Sequence, residues 1–273
     1  MLDMEERIVS RRLLNIIESS VSKLPDNKKF LNDVMKAVET NAIRTRRRGS
    51  SYYKPSSMKC QRNMYFTRTG AEQDDTPEEY NALNMADTGT RRHEGIQDVL
   101  LMMKELGFDW EYIDVGEYVK KKQAMGKCLS LEVKGTQGAE THLVDKTLHT
   151  SFRCDGIIRK ISTNECYLLE FKNVISFKFA QVDNEPLAEH IKQVTCYCTS
   201  LDLDKAFVLY ENRDTCELEC PIIEITQDMK NDFTNYVLET EGYVERLIAP
   251  PKCGNTKTCR WCNFKTICNK IGG

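Results

Sequence analysis

Phe152-Arg153-Cys154-Asp155-Gly156-Ile157-Ile158-Arg159 and Cys166-Tyr167-Leu168-Leu169-Glu170-Phe171-Lys172-Asn173 decide how this chain folds. In the first segment Phe152, Cys154, Gly156 and Ile158 alternate with Arg153, Asp155, Ile157 and Arg159, the period-two pattern of a strand. Ser162-Thr163-Asn164 turns the chain into the second segment. There Leu168, Glu170 and Lys172 share one face, and Tyr167, Leu169 and Phe171 the other. The pair predicts a hairpin with Asp155 beside Glu170 and Lys172. Two carboxylates beside one lysine suit Mg²⁺ or Mn²⁺, which take hard oxygen ligands. Such a cation polarises a phosphodiester and lowers the pKa of a bound water. The lysine orients that water or stabilises developing negative charge. Taken alone, the triplet fits a salt bridge on a strand surface better.

Outward from the hairpin, residues 187–201 read as a helix, and Lys205–Tyr210 and Pro221–Ile225 as strands. Thr226 caps a final helix of about 22 residues, with Met229, Phe233, Tyr236, Val237, Val244 and Leu247 inward. Pro250-Pro251 ends it. Upstream, an amphipathic helix is expected over 84–106, with Gly89, His93, Ile96, Leu100 and Met103 on one face. Residues 108–122 and 129–149 read as strands and turns, punctuated by Gly107, Gly126, Gly135 and Gly138. Helices are expected over 4–23 and 27–43. Arg44, Arg46, Arg47 and Arg48 follow, close to Tyr52 and Tyr53. This run reads either as a solvated loop or as phosphate contacts. The pattern is α/β: a 1–50 helical segment with a basic run, then one compact unit over 51–273.

The chain has 273 residues, 29% charged, with a formal net charge of −2. No global basic field marks a nucleic-acid partner, so a local patch or bound cations must hold one. No apolar run is long enough to cross a membrane. Met1-Leu2-Asp3-Met4-Glu5-Glu6-Arg7 is too charged for a signal peptide. Twelve cysteines without such a leader point to a reducing cytoplasm. There is no Gly-x-x-x-x-Gly-Lys-Ser/Thr loop, hence no built-in motor.

The order of motifs is more specific than the triplet. His93 stands in Gly89-Thr90-Arg91-Arg92-His93-Glu94. Then come Asp155-Gly156 and Glu170-Phe171-Lys172, and finally Gln193 and Tyr197, one helical turn apart. Singly, these read as a core histidine and a helix surface pair. Together, over roughly 85–200, the order resembles the RecB-type branch of the PD-(D/E)xK nucleases. The resemblance implies a restriction-endonuclease-like core, a central mixed β-sheet flanked by helices. It makes His93, Asp155, Glu170 and the Phe171 carbonyl ligands of Mg²⁺ or Mn²⁺. Glu170, Asp155 and Lys172 become catalytic, and Gln193 and Tyr197 support substrate phosphate. A proline before Asp155 is missing, as Cys154 stands there.

The tail carries Cys253, Cys259, Cys262 and Cys268, the last three as C-x-x-C-x-x-x-x-x-C, and Cys60 lies far upstream. Three readings fit: a local zinc site of the four tail cysteines, a redox pair, or Cys60 with Cys259, Cys262 and Cys268 around a 4Fe–4S cluster. Lys257, Arg260, Lys265 and Lys270 would offset the cluster's charge, and Trp261 and Phe264 would shield it. Cys128, Cys154, Cys166, Cys196, Cys198, Cys216 and Cys220 read as small buried residues. One cysteine before the core and three after it resembles the iron–sulfur exonucleases of the AddB and Cas-four-type families. So does Cys60-Gln61-Arg62 ahead of Tyr65-Phe66. That resemblance covers about 56–268. It implies termini joined by the cluster and an exonuclease acting on single-stranded DNA. Arg44–Arg48, Tyr52, Tyr53 and Tyr197 are expected to line its channel. Protein partners would belong to recombination, repair or CRISPR adaptation. A DNA-end-binding or adaptor subunit with weak cleavage is the alternative.

Overall fold

A computed structural model of the protein describes residues 27–45, 51–74, 80–137, 140–260 and 262–271. The helix expected over 4–23, Arg46, Arg47, Arg48, Gly138 and Trp261 lie outside the described residues. The chain divides into two units, Met1–Arg47 with Glu78–Met85, and Arg48–Pro77 with Ala86–Gly273. In the first, helix α1 (Asn27–Thr45) forms where helical spacing predicts it. Phe30 and Leu31, two of the residues that set that spacing, are exposed.

The second unit is a mixed α/β fold. Its helices are α2 (Gln61–Arg68), the greater part of α3 (Tyr80–Met102), α4 (Val115–Ala124), α5 (Ser176–Phe179), α6 (Ala188–Leu201), α7 (Gln227–Glu245), α8 (Thr256–Arg260) and α9 (Lys265–Lys270). Strands β1 (Trp110–Ile113), β5 (Gly156–Lys160), β6 (Glu165–Val174), β7 (Lys205–Asn212) and β8 (Leu218–Glu219) form the central sheet in that order. Strand β9 (Ile222–Glu224) pairs with β7. In this sheet β6 and β7 run parallel, joined through α5 and α6. A second, antiparallel sheet holds β2 (Leu131–Gln137), β3 (Glu140–Asp145) and β4 (Thr150–Cys154).

Strand β6 is the centre of the fold. Leu168, Leu169, Glu170 and Phe171 are all buried, so both of its faces are covered. In the parallel register Lys172 lies beside Tyr210 and Asn173 beside Glu211. Paired residues point to the same side. Glu170, Lys172 and Tyr210 therefore face α6, where the Tyr210 hydroxyl lies 2.7 Å from His190 Nδ1. Phe171 faces α3, its ring meeting the His93 ring edge-on at 4.8 Å. The core around them takes in Leu143, Phe152, Leu168, Val194, Leu201, Val208 and Val237.

Three expectations are corrected. The strand read through 152–159 is two strands in different sheets, broken at Asp155, because β4 pairs with β3 and β5 with β6. Residues 115–124, read as strand and turn, are helix α4. Asp114 caps it by accepting from the Glu117 N–H at 2.8 Å, and Val115, Tyr118 and Val119 fall on one buried face. The last helix ends at Glu245, so Leu247 lies past it with φ of 52° and is 76% exposed rather than inward. Among the described residues, no helix is long and apolar enough to cross a membrane.

Candidate metal-dependent active site

Asp155 sits where the chain leaves one sheet for the other. Its backbone carbonyl has no ladder partner there and accepts instead from Gln97 Nε2 at 3.0 Å and the Tyr112 hydroxyl at 3.1 Å. Its carboxylate accepts from the Phe171 N–H at 2.8 Å through Oδ2. The β5–β6 register, Gly156 opposite Leu169, brings Asp155 to the level of Glu170. Gly156 is required by packing: a Cβ there would run into the Tyr112 ring. Gly156→Ala is therefore expected to turn Tyr112 away from the Asp155 carbonyl and cost about 1–3 kcal/mol of stability. Thermal unfolding and the cleavage rate report it; an unchanged unfolding midpoint would show that the ring yields freely.

Glu170 is 2% exposed. Its Oε1 accepts from Lys172 Nζ and from Gln193 Nε2, the latter at 2.7 Å. Its Oε2 is buried with no hydrogen-bond partner. Burial, then the nearby Asp155, pushes the carboxyl up to about 7, against the pull of Lys172. Burial works to lower the Lys172 pKa, yet Glu170 outweighs it and the ammonium is held above its usual range. Gln193 Nε2 also donates to the Tyr197 hydroxyl at 2.8 Å, and the Tyr197 ring stacks on Phe152 at 4.7 Å.

His93 Nδ1 lies 3.5 Å from Asp155 Oδ1, beyond a well-formed hydrogen bond, and is buried without a partner. Burial favours its neutral form, but Asp155 and Glu170 outweigh burial and raise its pKa. The third group is one that sequence reasoning missed. Glu140, His93 and Asp155 each place a ligand atom within 4.8 Å of the other two. Burial, then Asp155, raises the Glu140 pKa. No motif marks Glu140; it arrives because Thr141 on β3 pairs with Cys154, next to Asp155.

The structure thus gathers His93, Asp155 and Glu140, with Glu170, Lys172 and Gln193 linked alongside. Tyr197 reaches this group only through Gln193. Tyr197 and Tyr53 are 4% and 1% exposed, and the Tyr53 hydroxyl is taken by Glu241. Neither offers a ring face to a strand, which corrects their assignment to a channel wall. The donor set fits a hard divalent cation: carboxylate oxygens, one imidazole nitrogen, and a buried Glu170 oxygen with nothing bonded to it.

The cysteines assemble apart from this site. Cys60 holds the N-cap position of α2 without a side-chain cap, and its thiol neighbours that of Cys253. Cys253 Sγ is 3.7 Å from Cys259 Sγ, and Cys262 and Cys268 neighbour Cys259. Cys262 Sγ accepts from Asn63 Nδ2 at 3.4 Å and the Phe264 N–H at 3.5 Å. Tyr65, Phe66 and Phe264 pack around Cys262 and Cys268. Cys262 thus combines N–H donors at its sulfur with an apolar surround. Cys253 is a fifth thiol in the group. Of the remaining cysteines, Cys154, Cys196 and Cys198 are buried, Cys128 and Cys166 half-buried, and Cys216 and Cys220 exposed, which corrects the expectation for the last two.

No protein-family model and no curated protein matches the chain. Among solved structures it is similar to the crystal structure of SSO0001, with 15% identity over 88% of this chain and 96% of that one and a TM-score of 0.45. It is similar to the alkaline exonuclease LHK-Exo from Laribacter hongkongensis, with 12% identity over 73% and 92% of the chains and a TM-score of 0.41. For the complex of LHK-Exo with dAMP the values are 13%, 72%, 91% and 0.38. With superpositions this loose, the functional reading stands on the site itself.

Proposed function

We propose that the chain is a metal-dependent deoxyribonuclease that degrades single-stranded DNA from its ends and carries a structural 4Fe–4S cluster. The observation that carries the nuclease reading is Glu170. A buried carboxylate with one oxygen bonded to Lys172 and Gln193 and the other bonded to nothing is costly unless a cation completes it. His93, Asp155, Glu140 and Glu170 would hold Mg²⁺ or Mn²⁺, with the Phe171 carbonyl as a further ligand. The bound cation supplies charge stabilisation at the phosphoryl group and acidifies water.

The protein's part is positional. The Phe171 N–H fixes Asp155 Oδ2 and leaves Oδ1 turned toward His93. Gln193, oriented by the Tyr197 hydroxyl, holds Glu170 Oε1, so that carboxylate cannot rotate away. Lys172, tethered to Glu170, keeps its positive charge and steadies negative charge that builds on phosphoryl oxygens. End-directed cutting of single strands rests on the resemblance in motif order and on the cysteine pattern. Cys60, Cys259, Cys262 and Cys268 would hold the cluster, in a reducing cytoplasm.

A fluorescently end-labelled single-stranded oligonucleotide and a circular single strand test this. With Mn²⁺ the linear strand is expected to ladder and the circle to stay intact; EDTA stops the reaction. A mobility shift without products would overturn catalysis in favour of an end-binding subunit. Cutting of the circle would overturn end-directed action. Anaerobically purified protein is expected to be brown with broad absorption near about 400 nm; a colourless protein with stoichiometric zinc would replace the cluster by a zinc site.

A further inference from the structure

The arginine that precedes His93 is set in an arrangement that a structural ion pair does not require. Arg92 precedes His93 on α3, and its side chain is 45% exposed. Its Nε lies 2.8 Å from both carboxylate oxygens of Glu211. Glu211 is 1% exposed, on β7, pointing to the same side of the sheet as Asn173 and Phe171. That is the side on which Phe171 meets His93. The guanidinium is therefore anchored over the C-terminal end of β7, on the face of the sheet that His93 also meets.

The strongest arginine–carboxylate pair is fork on fork, two parallel N–H···O bonds using two nitrogens. Here a single Nε–H serves both oxygens of a buried carboxylate. Nη1 and Nη2, with four N–H donors between them, make no hydrogen bond to the protein among the described residues. Glu211 thus fixes the plane and position of the guanidinium while its two-pronged edge stays available. That edge matches the non-bridging oxygens of a phosphodiester. Holding the fork in advance also spares the side-chain entropy that a mobile arginine loses on binding.

We propose that Arg92 is a substrate-binding residue that grips a backbone phosphate of the DNA strand through Nη1 and Nη2, and that Glu211 is its positioning residue. This rests on the nuclease reading above. Two measurements test it together: kcat/KM for a single-stranded oligonucleotide in Mn²⁺, and affinity for the same oligonucleotide in EDTA as salt is varied. Arg92→Ala is expected to lower kcat/KM about 10- to 100-fold. It should reduce the slope of log affinity against log salt by about 0.7, the value of one phosphate contact on a single strand. Arg92→Lys keeps the charge and the Glu211 partner but loses the fork. Its salt slope is expected to stay at the wild-type value while kcat/KM falls at least about tenfold.

Arg91 supplies the contrast. It lies on the same helix, its side chain is 77% exposed and its Nε is paired with Asp87 at 2.9 Å. If Arg91→Ala has the same effect as Arg92→Ala, the helix is merely positive and the proposal is wrong. Wild-type kcat/KM in both Arg92 variants of an active, folded protein overturns it and leaves the nuclease reading standing. Should Arg92→Ala fail to fold, Arg92→Lys decides, since wild-type kcat/KM in that variant also overturns the fork. A wild-type protein that neither binds nor cuts DNA overturns both readings at once.

Discussion

Glu170→Gln is expected to lower the rate of DNA hydrolysis by about 10³-fold while the protein stays folded, and Lys172→Ala to do much the same. Glutamine keeps an oxygen for Lys172 and Gln193 to donate to, so the local hydrogen bonds survive. What disappears is the negative charge that a divalent cation needs. A readout independent of catalysis follows. Cation at about a hundred times its Kd stabilises the wild type by about 2.7 kcal/mol, roughly 5–10 °C in unfolding midpoint. In Glu170→Gln that shift is expected to shrink to near zero. The pH dependence carries a sign. Without cation, the folded-state pKa of Glu170, about 7, lies above that of an exposed glutamate. Its protonated form therefore stabilises the fold at low pH, and that contribution is lost as pH rises through about 7. A cation binds the ionised form, so the Mn²⁺-induced shift is expected to be larger at pH 8 than at pH 6, and Glu170→Gln removes the difference. Wild-type cleavage rates in both variants would place the chemistry elsewhere in the molecule.

The part of this site that lies on one strand pair was legible in advance. The alternation of Tyr167–Lys172 and the turn at Ser162–Asn164 give β6 and its partner, because side-chain period and turn chemistry are local properties. The break at Asp155 was not legible. Alternation continues through it, and only the pairing of β4 with β3 rather than β6 ends the strand. Helix α4 was hidden by its β-prone residues, although Val115, Tyr118 and Val119 have helical spacing behind the cap at Asp114. Glu140 and Glu211 carry no motif at all. The first is placed by a neighbouring sheet and the second by a parallel strand far along the chain, so neither could be found without the fold. Tyr53 failed for the opposite reason: its basic neighbourhood suggested a nucleic-acid surface, whereas packing buries the ring and Glu241 takes its hydroxyl.

The cysteine group is tied to the candidate metal site through α6, and this sets the second large expectation. One side of α6 carries Gln193 against Glu170. Elsewhere on the same helix Glu189 accepts from Lys59, the residue before Cys60, at 2.8 Å. Lys192, a neighbour of Cys60, lies over the Tyr236 ring of α7 at 3.5 Å from its centroid. A centre bound by Cys60 and the tail cysteines would hold that end of α6 in place, and with it Gln193. Cys60→Ala and Cys259→Ala are therefore expected to lose bound iron, to unfold at least about 10 °C lower, and to cut DNA at least about tenfold more slowly with every catalytic side chain present. Cys253 makes the test discriminating. It neighbours both Cys60 and Cys259, yet it is not one of the four ligands proposed for the cluster. Cys253→Ala is expected to keep its iron. If instead Cys253→Ala empties the site and Cys60→Ala does not, the four tail cysteines form a local zinc centre. The Cys60 segment and the tail would then be held together by packing of Tyr65, Phe66 and Phe264 rather than by metal.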